Sequence, residues 1–288
     1  MAIADKFYTK IEVAKKCVNF LKSKLSLTME EQFLEPTAGN GVFLNFLNNY
    51  DAYDLLPENP KIKKQDIFLL KTEYKNYITI GNPPFGKRSL LAINVFNKCA
   101  EFSDVIAFIV PISFMKFNVQ KNLNTNFKLV DFFFLEENSF LDRDKDFDVN
   151  CVFQIWVKSN SKYDIFKDLR ILKQPSITSS DFKIWQYNAT QQSFNTVNED
   201  WEIATYRQGY KNYNEIFNQS DKDKIIKMMS GNKKIQFFFI KPLNENSKKI
   251  ILSMDFNNLA KRNTSTPGFG KADFVSYYNE LKDKNYEP

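Results

Sequence analysis

The sequence predicts an α/β protein with a mostly parallel sheet in its first 158 residues and a small α+β region over residues 159–288. Three observations carry this. Strand-like and helix-like segments alternate through the first half, the signature of βαβ units. Val105 to Val110 is a continuous apolar run ended by Pro111, as in a strand covered on both faces. Beyond about Lys158 the pattern changes to polar, Asn-rich and aromatic segments.

Taken in order, Thr9 to Lys24 reads as an amphipathic helix, with Ile11, Ala14, Cys17, Val18 and Leu21 at three- and four-residue spacing. Gln32 to Glu35 is a short strand closed by Pro36 and a Gly-rich turn. Gly41 to Asn49 has helical spacing, Tyr50 to Leu55 is strand-like, and a third short strand precedes Asp66. Tyr77 to Ile80 is a β-rich run ended by Gly81-Asn82-Pro83-Pro84. Ser89 to Phe102 is helical, with Ser89 as its expected N-cap. The run at Val105 follows, then strands at Leu129 to Leu135 and Val149 to Val157, seven in all. In the second region strands are expected at Trp201 to Tyr206 and Ile235 to Ile240, and helices at Asp221 to Met229 and Ala272 to Lys282.

Composition narrows the chemistry. There is no histidine, which excludes Ser-His-Asp and Cys-His hydrolysis, His-ligated metals and an imidazole base. Cys17, Cys99 and Cys151 are dispersed and form no CxxC pair, a usage that fits a reducing cytoplasm. The N-terminus is too charged for a signal peptide, and no apolar stretch approaches the roughly 18 residues of a membrane span. The net charge is +6: residues 1–157 carry 19 basic and 19 acidic side chains, and residues 158–288 carry 21 and 15. A basic C-terminal part is a cue for a polyanionic partner, and Lys-rich coding bias is the plain alternative.

In an α/β sheet, ligands bind beyond the carboxyl ends of the strands. Three of those ends carry unusual residues. Glu35-Pro36-Thr37-Ala38-Gly39-Asn40-Gly41 allows close backbone approach to a ligand, although a lone GxG is usually an ordinary turn. Asp54 can accept from ribose hydroxyls, although alone it reads as readily as a solvated loop acid. Asn82-Pro83-Pro84-Phe85 has a mechanism of its own. An exocyclic amine on a nucleobase is a poor nucleophile because its lone pair is delocalised into the ring. The Asn82 side-chain carbonyl and the Pro83 backbone carbonyl can accept its N–H bonds and draw the nitrogen toward tetrahedral geometry. The prolines fix φ near −65°, and Phe85 offers a stacking face. A Pro-Pro turn after a strand is the bland alternative; Glu35, Gly39, Gly41 and Asp54 at neighbouring strand ends weigh against it.

With these motifs, residues 5–157 resemble the S-adenosylmethionine-dependent amino-methyltransferases of the N6-adenine DNA type. The resemblance implies a Rossmann-like methyltransferase fold with a seven-stranded, mostly parallel sheet. It implies S-adenosyl-L-methionine as cofactor and adenine N6 as target, in a restriction–modification setting. By position it implies that Tyr8 and Thr9, Glu35, Thr37, Gly39 and Gly41 lie at the methionine end of the cofactor. The family usually has Pro where this chain has Lys10. Asp54 and Leu55 would lie at the ribose and adenosine, Asp66 and Ile67 at the cofactor adenine, and Asn82 to Phe85 would form the catalytic loop, with Asn82 also against the cofactor. An aromatic residue against the far face of the extruded base is implied between the last two strands, where Phe140 and Phe147 both qualify.

The cofactor motif precedes the catalytic motif, an order that puts target recognition at the C-terminus. The nucleic-acid contacts expected there are Arg207, Lys233, Lys234, Lys261 and Arg262, with Lys87 and Arg88 beside the catalytic loop; a solvated surface explains any one of them equally well. The partner expected is duplex DNA with a flipped adenine, with RNA as the main alternative and a non-catalytic subunit as a second. No membrane and no metal are expected. Asp142, Asp144, Asp146 and Asp148 alternate like a calcium loop, but its required Gly is Phe147 and its closing Glu is Phe153.

Overall fold

A computed structural model describes residues 7–142, 145–231, 234–262 and 267–284. The chain forms two compact units, Met1–Lys173 and Gln174–Pro288.

The first unit is a doubly wound α/β structure. Short β1 (Tyr8–Thr9) leads into α1 (Ile11–Leu25), then β2 (Gln32–Glu35), β3 (Asn49–Asp54), β4 (Lys63–Lys64), β5 (Tyr77–Gly81), α2 (Leu90–Cys99) and β6 (Ser103–Pro111). The turn α3 (Phe117–Gln120) precedes β7 (Phe127–Phe134), the hairpin strands β8 (Phe140–Asp142) and β9 (Lys145–Phe147), and β10 (Cys151–Lys158). Seven strands form one sheet in the order β4-β3-β2-β5-β6-β10-β7. β4, β3, β2, β5 and β6 pair in parallel, whereas β10 runs antiparallel to both its neighbours. This is the seven-stranded, mostly parallel sheet that the sequence predicts. The three-stranded ribbon β1-β8-β9 stands apart from it.

Alternation along the strands explains the layers. Phe33, Ile78, Ile80, Val105 and Ala107 point to the face covered by Ala14, Cys17, Val18 and Leu21 of α1. Leu34, Tyr77, Ile106 and Phe108 point to the other face, covered by Ala92, Val95 and Phe96 of α2. Each such fully buried large side chain contributes about 1.5–3 kcal/mol. Among the described residues, no helix is long and apolar enough to cross a membrane.

Three local expectations change. Gly41 to Asn49 is not an α-helix: a 3-10 turn covers Val42–Phe46 and β3 already starts at Asn49, leaving too few residues for a stable α-helix. Thr9 lies in β1 rather than in α1. Ser89 does not cap α2 with its side chain; its hydroxyl pairs with Ser113 Oγ at 2.8 Å instead.

Past β10 the chain stays with the first unit to Lys173. Leu169 N donates to Leu129 O, and the Arg170 guanidinium donates to the carbonyls of Gln120, Leu123, Asn124 and Phe127 while lying over the Trp156 ring. The charge count shifts with this boundary. Divided after Lys173, the units carry 24 basic with 21 acidic and 16 basic with 13 acidic side chains, +3 each. The C-terminal excess inferred from sequence is therefore shared equally.

The second unit is α+β. β11 (Phe182–Tyr187), β12 (Ile203–Gln208), β13 (Ile216–Phe217) and β14 (Gln236–Pro242) form an antiparallel sheet in the order β11-β14-β12-β13. Around it lie the turn α4 (Gln191–Phe194) and helices α5 (Lys222–Gly231), α6 (Glu245–Leu252), α7 (Phe256–Ala260) and α8 (Lys271–Lys284). Phe237, Phe238, Phe239 and Ile240 of central β14 are all fully buried, so both sheet faces are covered. Phe238 meets Phe269 and Phe274 on one side; Phe237 and Phe239 meet Tyr206, Phe217 and Trp201 on the other.

Candidate active site

The sheet order reverses between β2 and β5, the position at which open α/β sheets bind ligands. The strand ends there present, in spatial order, Asp66, Asp54, Glu35 and Asn82, following β4, β3, β2 and β5. Residues scattered over 48 positions of sequence thus share one edge.

Glu35 is 2% exposed, and its Oε2 has no hydrogen-bond partner. Its side chain lies against Gly81, where an added Cβ would stand 3.5 Å from Glu35 Cγ. Burial, reinforced by the Asp54 carboxylate, holds its pKa well above the usual carboxylate range. Thr37 Oγ1 is likewise buried without a partner. The loop after β2 turns through Gly39 at φ +55° and Gly41 at φ +79°, the left-handed region that side chains disfavour, and a Cβ on Gly41 would meet Leu44 Cδ1 at 3.0 Å. Asp54 organises this loop: its Oδ2 accepts from Gly39 N and its Oδ1 from Leu56 N, both at 2.8 Å. Tyr8 OH donates to Glu58 Oε1 at 2.6 Å, and Glu58 N donates to Gly39 O. Asp66 Oδ1 caps the following 3-10 turn through Phe68 N. Leu55 is exposed beside it and Ile67 is buried.

At the end of β5, Asn82 Nδ2 donates to Thr9 Oγ1 at 3.2 Å, while Asn82 Oδ1 is buried with no partner. Pro83 is buried; Pro84 and Phe85 are half-buried. Buried unsatisfied polar atoms are rare in native folds and cost about 1–3 kcal/mol each. Among the described residues the three such side-chain atoms belong to Glu35, Thr37 and Asn82, all around this switch point.

The aromatic candidates also converge. Phe140 and Phe147 are cross-strand partners in the β8-β9 hairpin. Phe140 is fully buried, whereas Phe147 keeps an exposed part. The Phe7 ring lies 5.3 Å from Phe85, 5.0 Å from Phe140 and 5.5 Å from Phe147, centroid to centroid. Sequence reading did not single out Phe7 for this aromatic cluster; the many phenylalanines of the chain hide it.

The basic residues divide. Lys87 and Arg88 are exposed just after the Asn82–Phe85 loop. Arg207 is turned inward: its guanidinium donates to Phe269 O, Asn188 Oδ1 and Gln236 Oε1 and lies over the Phe238 ring. Arg262 sits 3.7 Å from Glu280 and over Tyr277. Lys234 and Lys261 are exposed. Lys233 lies outside the described residues, as does Asp144 of the acidic loop. Asp146 pairs with Lys10 at 2.7 Å.

A separate cavity of about 870 Å³ opens at the amino ends of the strands, beside Glu31, Gln32, Tyr74, Asp104 and Lys162. It contains none of the orphaned buried atoms and none of the motif residues.

No family model and no curated protein matches the sequence. Solved structures offer distant likenesses. One is a protein from Pyrococcus horikoshii assigned as an RNA methyltransferase, at 18% identity and TM-score 0.43, covering 55% of this chain and 88% of that one. A second is from Listeria monocytogenes, assigned as a class I S-adenosylmethionine-dependent methyltransferase, at 12% identity and TM-score 0.44, covering 62% and 69%. A third is the modification subunit of an assigned type I restriction enzyme from Vibrio vulnificus, at 14% identity and TM-score 0.39, covering 94% of this chain and 60% of that one. Likenesses this distant carry no weight for function, which is read from the residues.

Proposed function

We propose that this protein transfers a methyl group from S-adenosyl-L-methionine to the N6 amine of adenine in DNA. The observation that carries the reading is the buried, unpartnered Asn82 Oδ1, set in an Asn-Pro-Pro-Phe loop next to an orphaned carboxyl at the switch point.

The pocket fits the cofactor's chemistry. Glu35 and Thr37 hold unused polar atoms for the charged methionine end. The Gly39–Gly41 turn admits close backbone approach. Asp54 keeps lone pairs for ribose hydroxyls beyond the two N–H bonds that it accepts, and Leu55, Phe68 and Leu69 are exposed apolar surface for a purine. When bound, the cofactor supplies an electrophilic methyl on sulfonium sulfur.

The chain's own residues prepare the nucleophile. Asn82 Oδ1 and the Pro83 carbonyl accept the two N–H bonds of the amine, which draws the nitrogen out of conjugation. Phe85 stacks on the base, and Phe147 supplies the accessible aromatic edge opposite. No imidazole, metal or strong base is needed, consistent with a chain without histidine. A duplex adenine reaches the loop only when flipped out, because its amine is buried in the stack.

Labelled-methyl transfer into duplex DNA, single-stranded DNA and RNA, followed by nucleoside analysis, tests the reading. N6-methyladenine in duplex DNA is expected. Methylated RNA alone would move the substrate to RNA, and no transfer to any of the three would reject the reading. Asn82→Ala is expected to abolish transfer while cofactor binding persists; full activity in that variant would refute the loop mechanism.

A further inference from the structure

Asn82 has one amide end engaged and one free. Nδ2 donates to Thr9 Oγ1, whereas Oδ1 is buried and unpaired. The two ends of an asparagine amide are nearly identical in size, so packing alone does not choose between them; hydrogen bonding does. The choice decides the chemistry. With Oδ1 facing the pocket, the residue accepts from an amine. With the amide reversed, an NH₂ group would meet that amine donor to donor.

Thr9 anchors the amide in the first arrangement by accepting from Nδ2; because a hydroxyl can donate as well as accept, the bond fixes the rotamer of the side chain rather than the identity of the facing end. Thr9 is 5% exposed and sits in β1, paired with Phe140 of β8. The ladder is extended by Lys10 N donating to Ser139 O. Its hydroxyl is thereby fixed in place opposite Nδ2, 73 residues away along the chain. In the absence of that acceptor, the Asn82 amide loses the hydrogen bond that anchors it, and other rotamers compete.

We propose that Thr9 is a positioning residue for the transfer: its hydroxyl is the hydrogen-bond anchor of the Asn82 amide and holds the side chain in the rotamer that presents Oδ1 to the substrate amine. This rests on the amine-methylation reading above and differs from the cofactor contact that the sequence motif implies for Thr9.

The test compares Thr9→Val, which keeps size and β-branching but has no hydroxyl, with Thr9→Ser, which keeps the hydroxyl. Saturating kinetics on duplex DNA, KM for DNA and calorimetric binding of S-adenosyl-L-methionine are measured for both beside wild type. Thr9→Val is expected to lower kcat about tenfold, the scale of one orienting hydrogen bond. KM and cofactor affinity should be unchanged, and Thr9→Ser should restore most of kcat. Wild-type kcat in Thr9→Val, or a loss that appears as weaker cofactor binding with kcat intact, would overturn the positioning role and leave the methylation reading standing. Absence of transfer by wild type would overturn both.

Discussion

Glu35 shows how one buried group marks a polar site. Its carboxyl is enclosed, unpaired at Oε2 and faced by Asp54, so the neutral form is favoured in the folded chain. The consequence for stability has a definite sign. With the folded pKa raised above the unfolded one, the stability associated with the protonated group is fully present below the ordinary glutamate range. It is lost as pH rises through the raised folded value. In Glu35→Gln that loss is absent. The melting temperature of the Gln variant should therefore gain on wild type as pH rises from acid toward neutral. A parallel pH dependence in the two proteins would show that Glu35 ionises normally. A bound ammonium group, by contrast, would favour the carboxylate, so cofactor should protect wild type more strongly at higher pH.

At the scale of elements, the carboxyl ends of β2 and β5 were readable because Pro36 and Pro83 punctuate them and because the strands are apolar runs. β1, β8 and β9 were not readable. Each is two or three residues long, too short for a period to register, and each exists only because it pairs with the others. The 3-10 turn at Val42–Phe46 carries helical spacing but lacks the length for an α-helix. Arg170 is another element-scale device that no local pattern announces. It holds four carbonyls around α3 and the start of β7. Arg170→Ala would leave these acceptors without their donor and expose the Trp156 face, a cost of about 2–4 kcal/mol by urea unfolding. A change under about 0.5 kcal/mol, the range of ordinary surface substitutions, would show that other groups take over its hydrogen bonds.

At the scale of the molecule, the two units have separate hydrophobic cores, and the boundary after Lys173 alters the electrostatic picture. The basic excess belongs to both units equally, and Arg207, one of the sequence candidates for nucleic-acid contact on the second unit, is spent on internal hydrogen bonds. The exposed pair Lys87 and Arg88 beside the Asn82–Phe85 loop becomes the better candidate for phosphate contact. Each phosphate neutralised on duplex DNA contributes about 0.9 to the slope of log K against log salt. Replacing both residues by Ala should therefore flatten that slope by about 1.8 and weaken binding across sequences alike. An unchanged slope in a fluorescence-anisotropy titration would place the phosphates elsewhere.

The sequence by itself determined the fold class, the order of the strands along the chain and the residues at their carboxyl ends, because period and punctuation are local properties of a chain. Only the tertiary structure decided which of those ends stand side by side. It brought Thr9 to Asn82 and Phe7 to Phe85, turned Arg207 inward, and moved the excess charge between units. These outcomes depend on pairing and packing between residues tens of positions apart, and nothing in the local sequence encodes which partner a buried polar group will find.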